Sequence, residues 1–185
     1  MKKIVFFLIL LSAVPLLSEK IYRVLSRGSV LDKSTGLVWT RCPLSLDDKP
    51  IYDFNCKGEK NIYTLVEARS VCNKLVHEGR SDWRLPTIRE LQSIVYYHHK
   101  PTEVSDFSQV VEQVFPGAVT QSDVDSDYDE SWKSYCVSDR CYQHYWSSTD
   151  FATNSTIAWA INFYSGVVQW DLSAKYKSVR CVAGP

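Results

Sequence analysis

Apolar positions recur at helical spacing in two early stretches of the chain and alternate with polar ones in a late stretch. In "TLVEARSVCNKLVHEG" (64–79), Leu65, Ala68, Cys72, Leu75 and Val76 fall on one face. Thr64 and Glu67 form a capping box ahead of them, and Gly79 supplies a stop, so a helix is expected with Cys72 pointing inward. "GRSDWRLPTIRELQSIV" (79–95) repeats the logic: Thr87 and Glu90 form a second box, and Ile88, Leu91, Ile94 and Val95 line the apolar face. Pro86 biases Leu85 to an extended conformation and keeps that helix from starting early. Trp83 is expected to plug the junction between the two helices, and Arg84 to serve a structural ion pair rather than a ligand.

Period-two patterning marks the strands. "SVLDKSTGLVWTR" (29–41) reads as two short strands around a Lys33-Ser34-Thr35-Gly36 turn. "TIAWAINFY" alternates Ile157, Trp159, Ile161 and Phe163 with Ala158, Ala160 and Asn162; a Ser165-Gly166 turn leads to "VVQWDL", and "KSVRCVA" forms a third strand. Val179 and Cys181 share a face there, so Cys181 can point toward the helix that carries Cys72. Two early helices clamped to a late antiparallel sheet make an α+β arrangement.

The first residues lie outside that pattern. Lys2 and Lys3 precede "IVFFLILLSAVPLL", which has the length of a signal-peptide apolar region and is short for a membrane span. Residues 1–18 are therefore read as a signal peptide with Ser18 near the cleavage point, 19–27 as an N-terminal lead and 28–185 as a single domain. No later segment is long and apolar enough to span a bilayer. The expected location is outside the cytoplasm: secreted, or in the periplasm or at the surface of a bacterium. Without Lys2 and Lys3, 21 Lys and Arg become 19 against 21 Asp and Glu, a net charge near −2. That balance argues against nucleic acid as a partner. Locally, Arg69, Lys74, Arg80, Arg84 and Arg89 crowd into a basic patch.

Six cysteines, Cys42, Cys56, Cys72, Cys136, Cys141 and Cys181, all lie in the exported part, and an even number in an oxidising compartment indicates disulfides. Six cysteines permit fifteen connectivities. Cys136 and Cys141 bracket the short "VSDR", Cys42 and Cys56 bracket a proline-containing loop, and Cys72 and Cys181 remain. A zinc site would need the close spacing of C-x-x-C, which is absent. His98 and His99 are adjacent and would diverge in either secondary structure, so they are assigned to the surface. Ser147 and Ser148 lack a G-x-S-x-G setting and are expected to satisfy backbone in a buried turn. There is no glycine-rich phosphate loop. "NST" (154–156) matches a glycosylation acceptor by pattern.

Several of these pieces together resemble the Lcl C-terminal domain family, named for the terminal domain of a collagen-like bacterial adhesin. The matching segments are "DKSTGLVWTRC", Cys56, "EARSVCNKL", "GRSDWRLPTIREL", "FP" at 115–116, "YWSST" at 145–149, "AWAINFYSGVV" and "VRCV". They run in family order over roughly residues 28 to 183. The resemblance implies a C-type-lectin-like fold in which a helix cysteine bridges to the last strand, in agreement with Cys72–Cys181. It also implies that Cys42 pairs with Cys56. Between "FP" and "YWSST" this chain departs from the family pattern with an insertion at about 117–144, which carries the Cys136 and Cys141 pair. Loops of this length are often functional, and the long-loop region is where ligands tend to bind in C-type-lectin-like folds.

Tyr128, Trp132, Tyr135 and Tyr142 are accordingly the candidate ligand-binding residues. The run "DVDSDYDE" makes Asp123, Asp125, Asp127 and Asp129 candidate calcium ligands, although Tyr128 and Ser134 break an EF-hand count and a solvated acidic loop is the preferred reading. The Glu-Pro-Asn, Gln-Pro-Asp and Trp-Asn-Asp motifs of sugar-binding C-type lectins are absent; "QWD" at 169–171 is a distant echo. No catalytic residue and no cofactor are expected, with calcium the one candidate ion. The expected function is a non-enzymatic binding module, in the manner of an adhesin, for an extracellular glycan or protein of unknown identity. The alternative is an oxidase resembling the formylglycine-generating enzymes, whose chemistry needs reactive, copper-binding thiols.

Overall fold

The computed structural model describes residues 21–26, 28–53, 56–95, 114–115, 136–137, 140–163 and 166–184, with the backbone alone at 136–137 and 140–143. Among the described residues, one antiparallel sheet, one sheet that is antiparallel except for its last strand, and two short helices, α1 (Leu65–Lys74) and α2 (Ile88–Ser93), make up an α+β fold. The first sheet takes β1 (Tyr22–Val24), β2 (Ser29–Asp32), β3 (Val38–Thr40), β4 (Trp83–Arg84) and β10 (Val182–Ala183), in the order β1-β2-β3-β10-β4. The second takes β5 (Cys136–Val137), β6 (Arg140–Phe151), β7 (Asn154–Asn162) and β8 (Val168–Leu172) in sequence order, with β9 (Tyr176–Ser178) parallel to β6. The early strands thus lie in a sheet separate from that of β6 to β8, with the late β10 inserted between β3 and β4. The predicted final strand is split: Tyr176–Ser178 joins one sheet and Val182–Ala183 the other.

Both helices start where their capping boxes place them. Helix α1 (Leu65–Lys74) begins after Thr64, whose side chain accepts from the Glu67 N–H while the Glu67 carboxylate accepts from Thr64 N–H. Helix α2 (Ile88–Ser93) begins after Thr87 in the same way with Glu90. The end of α1 differs from expectation. The Leu75 backbone turns extended so that its side chain stays in the core, and Val76 then points out, 72% exposed. Gly79 is not the helix stop. With Glu78 it forms a tight two-residue turn, both at positive φ (50° and 76°), closed by reciprocal His77–Arg80 backbone hydrogen bonds of 3.0 Å.

The side chains collect in two main clusters. One joins Val30, Trp39 and Val182 of the first sheet to Leu91 of α2, Ile94 at its C-cap, Phe115, Tyr145 and Ile161 of the second sheet, and Phe163 just past β7. The other surrounds α1: Leu65, Ala68, Cys72 and Leu75 meet Trp83, Leu85, Trp146, Ala158, Ala160, Val179 and Cys181. Trp83 is therefore buried against α1 from a strand, not wedged between the helices, because it pairs with Ala183 in β4. The alternation in β7 also resolves unexpectedly. Ala158 and Ala160 face α1 and are fully buried, whereas Ile157 and Trp159 lie half-buried on the other side. Small residues are used where Trp146 already fills the space.

Two disulfides tie these parts together. Cys72–Cys181 fastens α1 to the chain just before β10, across a sequence separation of 109. A closure that long is worth on the order of 4–5 kcal/mol on the chain-entropy model. Cys42–Cys56 closes the loop after β3. The proposed Cys136–Cys141 bond falls on side chains outside the described residues, though the two backbones are register partners across the β5–β6 ribbon. No helix of the described residues is long and apolar enough to cross a membrane.

Candidate binding surface

The stretch around Trp83-Arg84-Leu85-Pro86 holds scaffold rather than ligand. Arg84 donates twice to Glu90, at 2.9 and 2.7 Å, and the same carboxylate accepts from Thr87 N–H and hydroxyl. Burial alone would raise the Glu90 pKa, but Arg84 and Thr87 outweigh it and hold the carboxyl below its ordinary range. The helix start is in turn clamped to β6. Ser148 N–H donates to the Pro86 carbonyl (2.7 Å), and Ile88 N–H to the Thr149 hydroxyl (3.0 Å). Ser147 and Ser148 thus sit in a strand with a register shift, not in a turn, with the Ser147 hydroxyl donating to the Trp159 carbonyl.

The basic patch read from the sequence is largely neutralised. Arg69 donates to Asp150 (2.5 Å) and the Ser148 carbonyl, Arg80 pairs with Asp82, and Arg84 with Glu90. A polyanion would have to displace these carboxylates to use the patch. Lys74 points elsewhere, into a groove.

That groove, about 660 Å³, lies between α1 and the turn after Cys42. Glu67, Ser70, Val71 and Lys74 form one wall, at the i, i+3, i+4, i+7 spacing of one helix face. Asp47, Asp48 and Lys49 form the other, Tyr63 and Leu75 lie between them, and Tyr176 stands at the side. Asp48 is held in the left-handed region, φ 59°, where its carboxylate accepts from the Tyr63 hydroxyl at 2.6 Å and from Asn61 at 3.3 Å. Burial, followed by the Asp48 hydrogen bond and charge, pushes the Tyr63 phenol well above its usual range, so it remains a donor. Sequence reasoning passed over this groove. Its only signal was the Asp47-Asp48 pair beside a proline, which reads equally well as an ordinary turn.

The second limb of the insertion adjoins the groove. β6 starts at Arg140 inside the insertion and runs without interruption into the sheet, while β9 pairs Tyr176 with Arg140 and Lys177 with Cys141. Tyr176 is therefore shared by groove and ribbon. Beneath it lies a buried polar base. Lys177 is wholly buried, its ammonium 2.6 Å from Asp171 and 4.9 Å from the centre of the Trp146 ring. Trp146 donates to the Tyr63 carbonyl (2.8 Å). His144 Nε2 lies 3.3 Å from Asn162 Nδ2. Burial, aided by the Lys177 charge, lowers the His144 pKa to about 4, so the ring is neutral at pH 7.

Of the sequence-predicted ligand residues, Tyr128, Trp132 and Tyr135 lie outside the described residues, as do Asp123, Asp125, Asp127 and Asp129. Tyr142 is described only as backbone within β6. Among the described residues no group of three or more His, Cys, Asp or Glu side chains is placed to hold a metal.

A model of the Lcl C-terminal domain family matches residues 28–183. The chain belongs to that family. No curated protein matches it. Membership, together with the two disulfides, is compatible with an extracellular or cell-surface bacterial domain. Within this Lcl C-terminal domain, the family segment "YWSST" is the part of β6 that anchors the start of α2, and "VRC" delivers Cys181 and Arg180 to the core. Arg180 donates to the Arg41 carbonyl and lies 5.7–5.8 Å from the rings of Phe115, Tyr145 and Phe163. The segments that carry the family resemblance therefore hold the frame, and the groove and the insertion lie largely between them.

Proposed function

We propose that this domain is a non-enzymatic binding module with a C-type-lectin-like fold, acting outside the cytoplasm of a bacterium as an adhesin for an extracellular glycan or protein. The observation that carries the reading is the junction at Tyr176, where a groove of ligand-pocket size meets the base of the insertion. A groove with an apolar floor, two-sign rim and an adjoining aromatic-rich loop suits recognition by shape and hydrogen bonds. The rival oxidase needs thiols, and the four cysteines whose side chains are described are all bridged. A calcium ion held by the acidic run, or a basic partner attracted to it, would account for the aspartates.

The test is a glycan and matrix-protein array probed with residues 19–185, followed by two variants. Replacing 118–135 with a Gly-Ser linker, which spares the β5–β6 ribbon that pairs with β9, should leave a folded domain that no longer binds. Ser70→Trp, which fills the groove from α1, should weaken the same binding with little change in melting. Weaker binding in high salt indicates a basic partner; loss with a chelator indicates calcium. Unchanged array profiles for both variants would refute this surface.

A further inference from the structure

One face of the second sheet changes character along its length. At one end it is sealed in the core by Tyr145, Ile161 and Phe163, with Val168 packed against them. Toward the β6–β7 hairpin the same face is open. There Trp159 is register partner to Trp170 and Ile157 to Leu172, and the Phe151 ring lies 5.6 Å from Trp159 and 6.2 Å from Trp170. Trp170 is 56% and Leu172 48% exposed.

This open region borders an edge. Among the described residues, no strand pairs with the far side of β8. Asn162 N–H donates to the Val167 carbonyl and Ser173 N–H to the Thr156 carbonyl, which fixes the ladder: residues 167, 169, 171 and 173 bond toward β7. Val168 and Trp170 therefore direct their N–H and C=O groups outward. Leu172 does not prolong that edge, because its N–H donates to Asp171 Oδ1 and its carbonyl accepts from Lys175 N–H. The one charge on β8, Asp171, is drawn to Lys177. No lysine, proline or bulge blunts the strand, the usual protections of a free edge.

We infer that β8 pairs with β8 of a second copy of this chain, antiparallel, about a twofold axis at Gln169. Val168-Gln169-Trp170 reads apolar, polar, apolar in both directions, so the segment matches itself. In this register Val168 exchanges two backbone hydrogen bonds with Trp170 of the other copy, and Trp170 two with its Val168. Gln169 faces Gln169 across the axis as a non-hydrogen-bonded pair, with Cα atoms about 4.5 Å apart. The two Asp171 carboxylates lie opposite position 167, roughly 13 Å apart along the ladder, so like charges do not meet. The two Trp170 indoles cover each other's Val168. Four main-chain bonds and these side chains are a small contact beside the roughly 1,200–2,000 Å² of stable complexes, so the dimer should form in the micromolar range or above.

Sedimentation of residues 19–185 from about 1 µM to about 1 mM should show a concentration-dependent dimer. Val168→Pro, which removes an outward donor, should shift it to monomer, with circular dichroism confirming the fold. Gln169→Cys should oxidise to a covalent dimer, since a Cα separation of about 4.5 Å falls within disulfide reach, whereas Leu172→Cys should not. The 118–135 replacement should dimerise as the parent does, which separates this interface from the ligand surface. A monomer at every concentration with no Gln169→Cys dimer would overturn the inference. So would equal cross-linking by the two cysteine variants.

Discussion

Lys177 and Asp171 offer a sharp test of how the base of the insertion is held, because the two partners are unequal. The lysine is fully buried, and the aspartate side chain is 28% exposed. Removing Asp171 leaves an ammonium in the interior against the Trp146 ring, without its carboxylate. Breaking a buried pair in this way costs roughly 3–5 kcal/mol, because the remaining charge is uncompensated. Removing Lys177 instead leaves a carboxylate that water reaches, and Lys177→Met fills the same space with an apolar chain. That change should cost under about 1 kcal/mol and can even stabilise. For a domain of this size 1 kcal/mol moves Tm by about 2–4 °C, so Asp171→Ala should melt about 6–20 °C below the parent and Lys177→Met within about 4 °C. Urea titration of residues 19–185, with equal m-values required, gives the comparison in free energy. If Lys177→Met is as damaging as Asp171→Ala, the pair contributes through its attraction and not through the buried charge, and the reasoning fails.

Trp83→Ala, which empties a buried site against α1, should cost about 3–5 kcal/mol; a melting curve near the parent's would refute its structural role. His144 has a folded pKa of about 4 against about 6.5 unfolded, so the unfolded chain binds the extra proton first. Stability should therefore fall as pH drops from about 6.5 to about 4, by roughly 3 kcal/mol, and level off below; His144→Gln should remove that component, and a parallel pH profile for the variant would contradict the assignment. Replacing both Cys72 and Cys181 by serine should lower stability by about 2–5 kcal/mol, read by denaturant unfolding, with no change if the bridge contributes nothing.

Much of the frame was legible because local chemistry decides it. Thr64/Glu67 and Thr87/Glu90 start the helices where the capping pattern says, and helix facing plus spacing led to Cys72–Cys181. Tertiary packing overrode the local signals elsewhere. Gly79 looks like a helix stop, but Leu75 leaves the helix early to stay buried. "KSVRCVA" looks like one strand, but its two ends serve different sheets. The groove was invisible for a related reason. Its walls are far apart in sequence, and the Asp48 carboxylate is brought to the groove by the distant Tyr63 and Asn61. Buried Lys177 and Arg180 gave no sign either, since a cation among apolar neighbours usually marks a solvated edge of a strand.

The position of β10 between β3 and β4 has a consequence for how the domain comes into being. A chain delivered N-terminus first presents β1 to β3 and then β4 long before residues 182–183 arrive. Until then β3 and β4 have no shared neighbour, Trp39 is paired only with Val30 of β2, Trp83 waits for Ala183, and Cys72 lacks its native partner Cys181. Closure of the first sheet is thus a late event that joins distant parts of the chain, a topology that folds slowly. Slow closure keeps the polypeptide threadable through a narrow channel and leaves two naked strand edges exposed meanwhile. In the extracytoplasmic setting proposed for this domain, a chaperone or thiol oxidase would meet the chain in that half-built form.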